Sequence, residues 1–169
     1  MKADYSIEEF KDKNEWRKWL DTNHSNTNGI WLRIYKKNSN VVSVSYDEAV
    51  DDALCYGWID GQRKSYDELS FLQKFTPRRA NSIWSKKNIE NVTRLEKEGR
   101  IMPKGQHEIE KAQKDGRWEA SYDSQANMTV PEDFVEAVKQ NKKAYEFYCT
   151  LSRSSLFIIC MQLQSAKKP

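Results

Sequence analysis

The sequence predicts an α+β fold: a small antiparallel sheet of three or so strands with N-terminal helices, followed by an all-helical C-terminal half. Three observations carry that prediction. Ile30, Leu32 and Ile34 alternate with Trp31, Arg33 and Tyr35, the period of a strand with two usable faces. Residues 58–66 and 69–76 flank Asp67-Glu68 and read as a hairpin. Beyond Thr76 the apolar residues recur at helical spacing between starting Ser or Pro and stopping Gly.

Two helix-start signals open the chain, Ser6 with Glu9 and Asp12 with Glu15, each an acceptor followed three residues later by a carboxylate. The second precedes Trp16, Trp19 and Leu20, an apolar stripe at i, i+3, i+4. Polar turn residues 23–29 end that helix and lead into the strand at 30–35. Lys36 to Asn40 form a loop, and Val41 to Val44 a short extended piece. Ser45 with Glu48 starts a helix that buries Ala49, Val50, Ala53 and Leu54, and Gly57 is its stop. In the hairpin, a two-residue turn pairs Tyr66 with Leu69 and Lys64 with Phe71. Asp60, Gln62 and Lys64 then share a face with Phe71, Gln73 and Phe75. That face is too polar for a core and too aromatic for plain solvent.

Ser85 caps a helix carrying Ile89, Val92 and Leu95 and ending at Gly99. Pro103 starts another, with Ile109 and Ala112 inward and an end near Gly116. After a loop at 122–129, Pro131 is placed at the first helical position, ahead of Phe134, Val135 and Val138. Tyr145, Phe147, Tyr148 and Leu151 belong to a further helix and Leu156 to Leu163 to the last. Residues 1–118 are read as an α+β domain and 119–169 as a helical region packed on it as one unit.

Composition excludes several classes. The 28 basic and 25 acidic residues leave a net charge of +3, too little to predict polyanion binding on its own. The charge is unevenly placed: residues 1–60 hold 8 basic and 11 acidic side chains, whereas 61–118 hold 14 and 8. Cys55, Cys149 and Cys160 form no C-x-x-C pair, which argues against a disulfide scaffold and a zinc ribbon. His24 and His107 lack metal-ligand spacing, so neither a metal nor a cofactor is expected. The start MKADYSIEEF has no apolar leader and the longest apolar run, Leu156 to Met161, is far short of a membrane span. A cytoplasmic protein without membrane insertion is the expectation; oligomeric state is not encoded legibly.

The run Cys55 to Asn88 packs Trp58, Tyr66, Phe71, Phe75 and Trp84 among seven basic residues, with only Asp60, Asp67 and Glu68 opposing them. Cys55, late in an amphipathic helix, reads as a small core hydrophobe, and Ser82 and Ser85 have no G-x-S-x-G context. No P-loop or G-x-G-x-x-G is present. An anion held between Arg78, with its bidentate fork, and the helix start at Ser85 is a physically reasonable chemistry for this run. The opposing reading is an Arg78–Asp60 structural bridge. The candidate ligand-binding residues are Trp58, Asp60, Arg78, Arg79, Ser82, Trp84, Ser85, Lys86 and Asn88. No complete catalytic motif is present. One alternative is an enzyme on a nucleotide-like or phosphorylated substrate, with Asp60 as general base and Arg78 stabilising charge. Another is a single-strand nucleic-acid binder using Trp31, Trp58 and Phe71 as platforms and Arg63, Lys74 and Arg79 on phosphates.

The same residues carry a resemblance. Gly57-Trp58-Ile59-Asp60-Gly61, Phe75-Thr76-Pro77-Arg78-Arg79, Ser82 with Trp84-Ser85-Lys86 and Asn88, Gly99-Arg100, Asp115-Gly116-Arg117-Trp118, Val130-Pro131 and Ala166-Lys167 resemble the YdeI/OmpD-associated family. Its members are also called OmdA-like or bacteriocin-protection proteins, and the resemblance spans nearly the whole chain. It implies protection against bacteriocins or cationic peptides, or association with an outer-membrane porin, and supplies no catalytic residue or cofactor. Some descriptions imply a periplasmic location, against which the missing leader stands. Family members continue past Ala-Lys with a basic tail, whereas this chain stops at Lys167-Lys168-Pro169.

Overall fold

Local signals start most of the helices where side chains can satisfy the first free N–H groups. In a computed structural model that describes residues 5–123 and 127–165, Asp12 opens α1 (Lys13–Asn23), its carboxylate accepting from the N–H groups of Asn14 and Glu15 at 2.7 and 3.0 Å. Glu15 reaches back one residue further than expected, to the Lys11 N–H at 2.9 Å. Ser45 and Glu48 make the full reciprocal cap of α2 (Tyr46–Cys55). Ser85 caps α3 (Lys86–Lys97), and α4 (Pro103–Lys114) starts with Pro at its first position.

The other N-terminal signal fails. Residues 7–9, expected to be helical after Ser6, form β1 (Ile7–Glu9), parallel to β2 (Ile30–Tyr35) with Ile7 opposite Trp31. The Ser6 carbonyl accepts the Trp31 N–H at 2.8 Å, and Glu9 pairs with Arg33 at 3.1 Å. Backbone and carboxylate are thus satisfied across the sheet, and the helix waits for Asp12. The fold is α+β as predicted, but one helix precedes β2, and the four-stranded sheet is mixed. Its order is β1-β2-β4-β3, with β3 (Trp58–Ser65) and β4 (Ser70–Pro77) antiparallel to their neighbours.

The hairpin also departs from its predicted register. Ser65 pairs with Phe71 and Lys64 with Leu72, and a bulge lies between Asp60 and Arg63. The turn is longer because Asp67 organises it, accepting from the Leu69 N–H at 2.9 Å and the Ser70 hydroxyl at 2.7 Å. Gln73 repairs the bulge by donating to the carbonyls of Gly61 at 2.8 Å and Gln62 at 3.4 Å. Lys64 is therefore moved to the opposite face from Phe71, Gln73 and Phe75. Those three are buried with Ile30, Leu32 and Ile34, so the predicted mixed binding face is a core face. Val41, Val42 and Ser43 stay outside the sheet, whereas Val44 is buried and donates to the Phe10 carbonyl at 3.1 Å.

Aromatic rings bind α1 and the strands into that core. Trp16 stacks on Trp19 at 5.4 Å and lies 5.6 Å from Phe75, while Trp19 meets Trp58 edge-on at 5.9 Å. Helix α4 approaches the end of α2 so closely that a Cβ on Gly105 lies 2.2 Å from the Cys55 carbonyl oxygen. Gly57, at φ +72°, reverses the chain from α2 into β3.

The C-terminal part consists of α5 (Glu132–Lys139), α6 (Lys142–Thr150) and α7 (Arg153–Ser165). Pro131 is the residue before α5, one position earlier than predicted. Phe134, Val135 and Val138 are half-buried, but Phe147 is exposed, and α7 buries Cys160. Within the expected loop at 122–129, positions 124–126 lie outside the described residues, as do Ala166, Lys167, Lys168 and Pro169. No helix among the described residues is long and apolar enough to cross a membrane.

Candidate functional site

Strand β4 ends at Pro77 and delivers Arg78 into the protein. The Arg78 backbone N–H donates to the Gly57 carbonyl at 3.0 Å, which fixes it beside the α2–β3 reversal. Its guanidinium lies 3.6 Å from the centre of the Trp84 ring, and the residue is only 7% exposed. Nη1 makes one long bond, 3.4 Å to the Ile83 carbonyl. Nε and Nη2 have no hydrogen-bond partner among the described residues, and neither has the Trp84 indole N–H. Burial lowers the Arg78 pKa to about 10, although Tyr122, Glu108 and Asp60 act to raise it. Arg78 is therefore a buried cation at neutral pH with two idle donors.

The Arg78–Asp60 bridge is not formed. No carboxylate among the described residues lies within 4.0 Å of Arg78. Half-buried Asp60 instead accepts the Tyr46 hydroxyl at 2.7 Å, and burial followed by the Asp60 charge raises the Tyr46 pKa. Asp60 remains near enough to act on the charge of Arg78.

The other predicted residues divide. Trp84 is buried against Trp118 at 5.3 Å and floors the guanidinium. Ser85 uses its hydroxyl on the Asn88 N–H at 3.1 Å, and the Lys86 N–H donates to Tyr122 at 2.9 Å. The start of α3 is thus largely occupied, and the anion cradle predicted between it and Arg78 reduces to the Arg78 side. Lys86 is exposed and pairs with Asp123 at 2.6 Å; Arg79 is exposed. Ser82 contributes its carbonyl, which accepts from Arg117 at 2.8 Å. Asn88 lines a separate cleft of about 480 Å³ between α2 and α3 with Tyr46, Asp47, Asn91 and Arg94.

Trp58 belongs to the core: it is 1% exposed and donates to the His24 carbonyl at 3.1 Å. Phe71 is buried under Arg63 at 3.6 Å, and Lys64 covers Trp31 at 4.1 Å. The proposed base-stacking platforms are therefore covered by the protein itself. Cys55 is buried, which pushes its thiol up to about 11 and fits the packing role.

Sequence reasoning missed Tyr46, Glu108, Arg117 and Tyr122. Glu108 was detectable, because it falls on the buried stripe of α4 with Gly105, Ile109 and Ala112. Tyr122 was not, since its role is long-range: its N–H donates to the Trp84 carbonyl at 3.1 Å and its ring meets Phe157 at 6.0 Å.

Fold and site together define a small α+β protein with a buried arginine, unpaired among the described residues, beneath the junction of β4, α3 and α4. Residues 8–108, more than half of the chain, match the family model described as a domain of unknown function (DUF8412), and the chain belongs to that family. Residues 127–169 match the model described as "Bacteriocin-protection, YdeI or OmpD-Associated". The YdeI-type resemblance is thus found by that model in the C-terminal part only, while the Cys55–Asn88 run falls within the first match. No curated protein and no solved structure matches the chain.

Proposed function

We propose that this protein binds a small molecule through an anionic group, a carboxylate or phosphate, received by Arg78. The observation that carries the reading is the pair of idle donors, Nε and Nη2, on an arginine that is 7% exposed and has no carboxylate of the described residues within 4.0 Å. A buried donor without a partner costs about 1–3 kcal/mol, and more when charged, so a protein that keeps two has a use for them. Trp84 supplies the rigid floor, Ser82 and Arg117 hold the loop, and Asp60 with Tyr46 stands on the flank.

An enzymatic reading follows if the ligand turns over, with half-buried Asp60 as the base; Asp60→Asn then keeps binding and loses turnover. We tie the bacteriocin-protection link of the match over 127–169 to this ligand rather than to a separate peptide surface. We also retain the division at 118–119, with Tyr122 as the joint between the two parts, and a reducing, cytoplasmic setting for the three free thiols.

The test is a thermal-shift screen of acetate, sulfate, phosphate, nucleotides and sugar phosphates. Occupancy at a hundred times Kd adds about 2.7 kcal/mol, which raises Tm by roughly 5–10 °C in a protein this size. Silence across the whole panel, or a rise that survives Arg78→Met, overturns the reading.

A further inference from the structure

Arg78 is not the only buried group left unsatisfied. Glu108, on the inward stripe of α4, is also 7% exposed, and its Oε2 has no hydrogen-bond partner among the described residues. Its other oxygen meets the Lys104 ammonium only at 3.9 Å, and Lys104 is half exposed to solvent. Both Arg78 and Glu108 pack on Gly57. The Arg78 N–H donates to the Gly57 carbonyl at 3.0 Å, and a Cβ on Gly57 lies 3.2 Å from Glu108 Cγ. The two opposite charges act on each other, yet no contact joins them within 4.0 Å.

Two buried, opposite and mutually untouching charges are an uncommon arrangement, because each pays desolvation without the pairing that offsets it. The charge balance narrows what fits between them. Arg117 also acts on Arg78, but its charge is shared with Asp115 at 2.8 Å. Asp60 and Glu108 place two negative charges around the Arg78 guanidinium, while exposed Lys104 is screened by water. A bare anion on Arg78 is repelled by both carboxylates, and a phosphate dianion most of all. A ligand that carries its own cation or strong donor satisfies Glu108 while its anion satisfies Arg78.

We propose that the site takes a zwitterion of the amino-acid class, its carboxylate on the free N–H groups of Arg78 and its ammonium on Oε2 of Glu108. This rests on the anion-binding reading of Arg78 and specifies what the anion is attached to. The probes are L-alanine, L-phenylalanine and L-glutamate, each titrated by calorimetry against its deaminated carboxylate (propionate, 3-phenylpropionate, glutarate), with inorganic phosphate as the dianion. At least one amino acid binds about tenfold or more tighter than its deaminated partner, the size of a charged hydrogen bond. Its N-acetyl derivative loses that advantage, a comparison that needs no altered protein. Glu108→Gln brings the ratio close to one, with the deaminated acid binding at least as tightly as before because one repelling carboxylate is gone, and Arg78→Met removes both.

If the carboxylates or phosphate bind as tightly as the amino acids, or the ratio survives Glu108→Gln, the zwitterion is wrong and anion binding at Arg78 stands. If none of these probes binds, the zwitterion is wrong, and anion binding at Arg78 falls with it only when the nucleotides and sugar phosphates of the thermal-shift panel are silent too.

Discussion

Replacing Arg78 by methionine is the most instructive perturbation, because function and stability pull it in opposite directions. Burial holds the guanidinium pKa near 10, more than two pH units below the ordinary arginine value even after its acidic neighbours have acted. That difference corresponds to about 3 kcal/mol of net penalty on the charged form. Against it stand the contact with Trp84 at 3.6 Å, worth about 1–2 kcal/mol when buried, and the 3.4 Å bond to the Ile83 carbonyl, worth under about 1 kcal/mol. Methionine keeps the apolar stem on the indole face and removes the idle donors. The ligand-free variant is therefore expected to be more stable by about 1 kcal/mol, a rise in Tm of roughly 2–4 °C. The assay is guanidinium and thermal unfolding in a buffer free of carboxylates and phosphate. A loss of about 2 kcal/mol or more refutes the reasoning, because it makes Arg78 a structural keystone and not a receptor awaiting a partner.

Three further outcomes follow from the fold. Gly105→Ala places a Cβ 2.2 Å from the Cys55 carbonyl oxygen, so α4 must shift; urea denaturation should show a loss of about 2–3 kcal/mol, and a neutral result contradicts the close approach. Iodoacetamide at pH 8 should label exposed Cys149 rapidly and leave Cys55 unmodified in the native state, since Cys55 is buried with its thiol near 11; mass spectrometry decides, and comparable labelling of the two overturns the assignment. Ser45→Ala should cost about 1 kcal/mol at neutral pH. Ser45 is also the main cause that lowers the Glu48 pKa, and a lowered carboxylate stabilises above its unfolded value and loses that stabilisation as pH falls. The gap between wild type and variant should narrow below about pH 4, and a gap that widens in acid refutes the cap.

What was legible in the sequence was local. Asp12, Ser45 and Ser85 start helices because their acceptors reach N–H groups two or three residues away, and Gly57, Gly99 and Gly116 stop them at positive φ. What misled was equally local in appearance. Ser6 and Glu9 carry the same signature as Ser45 and Glu48, but their partners, Trp31 and Arg33, lie more than twenty residues away. The hairpin register turned on Gln73, whose amide fills a bulge that no spacing rule announces. Of the predicted site residues, Arg78 and Trp84 do lie together, 3.6 Å apart, whereas Trp58 and Phe71 were read as platforms because an aromatic ring among cations looks the same in sequence whether the protein covers it or solvent does. Glu108 was hidden by its distance in sequence, although a carboxylate on an apolar stripe was the signal to follow.

The account rests on Arg78 being a receiving group, and its side-chain N–H reports this directly. In a ¹⁵N–¹H spectrum tuned to arginine Nε, the signal missing from Arg78→Met identifies the Arg78 resonance, which can then be followed while L-alanine, propionate and phosphate are titrated in turn. The account predicts a saturable downfield movement of that resonance alone, as an oxyanion takes the idle Nε–H. A resonance that stays still through all three titrations, with the other arginines responding as much or more, contradicts it.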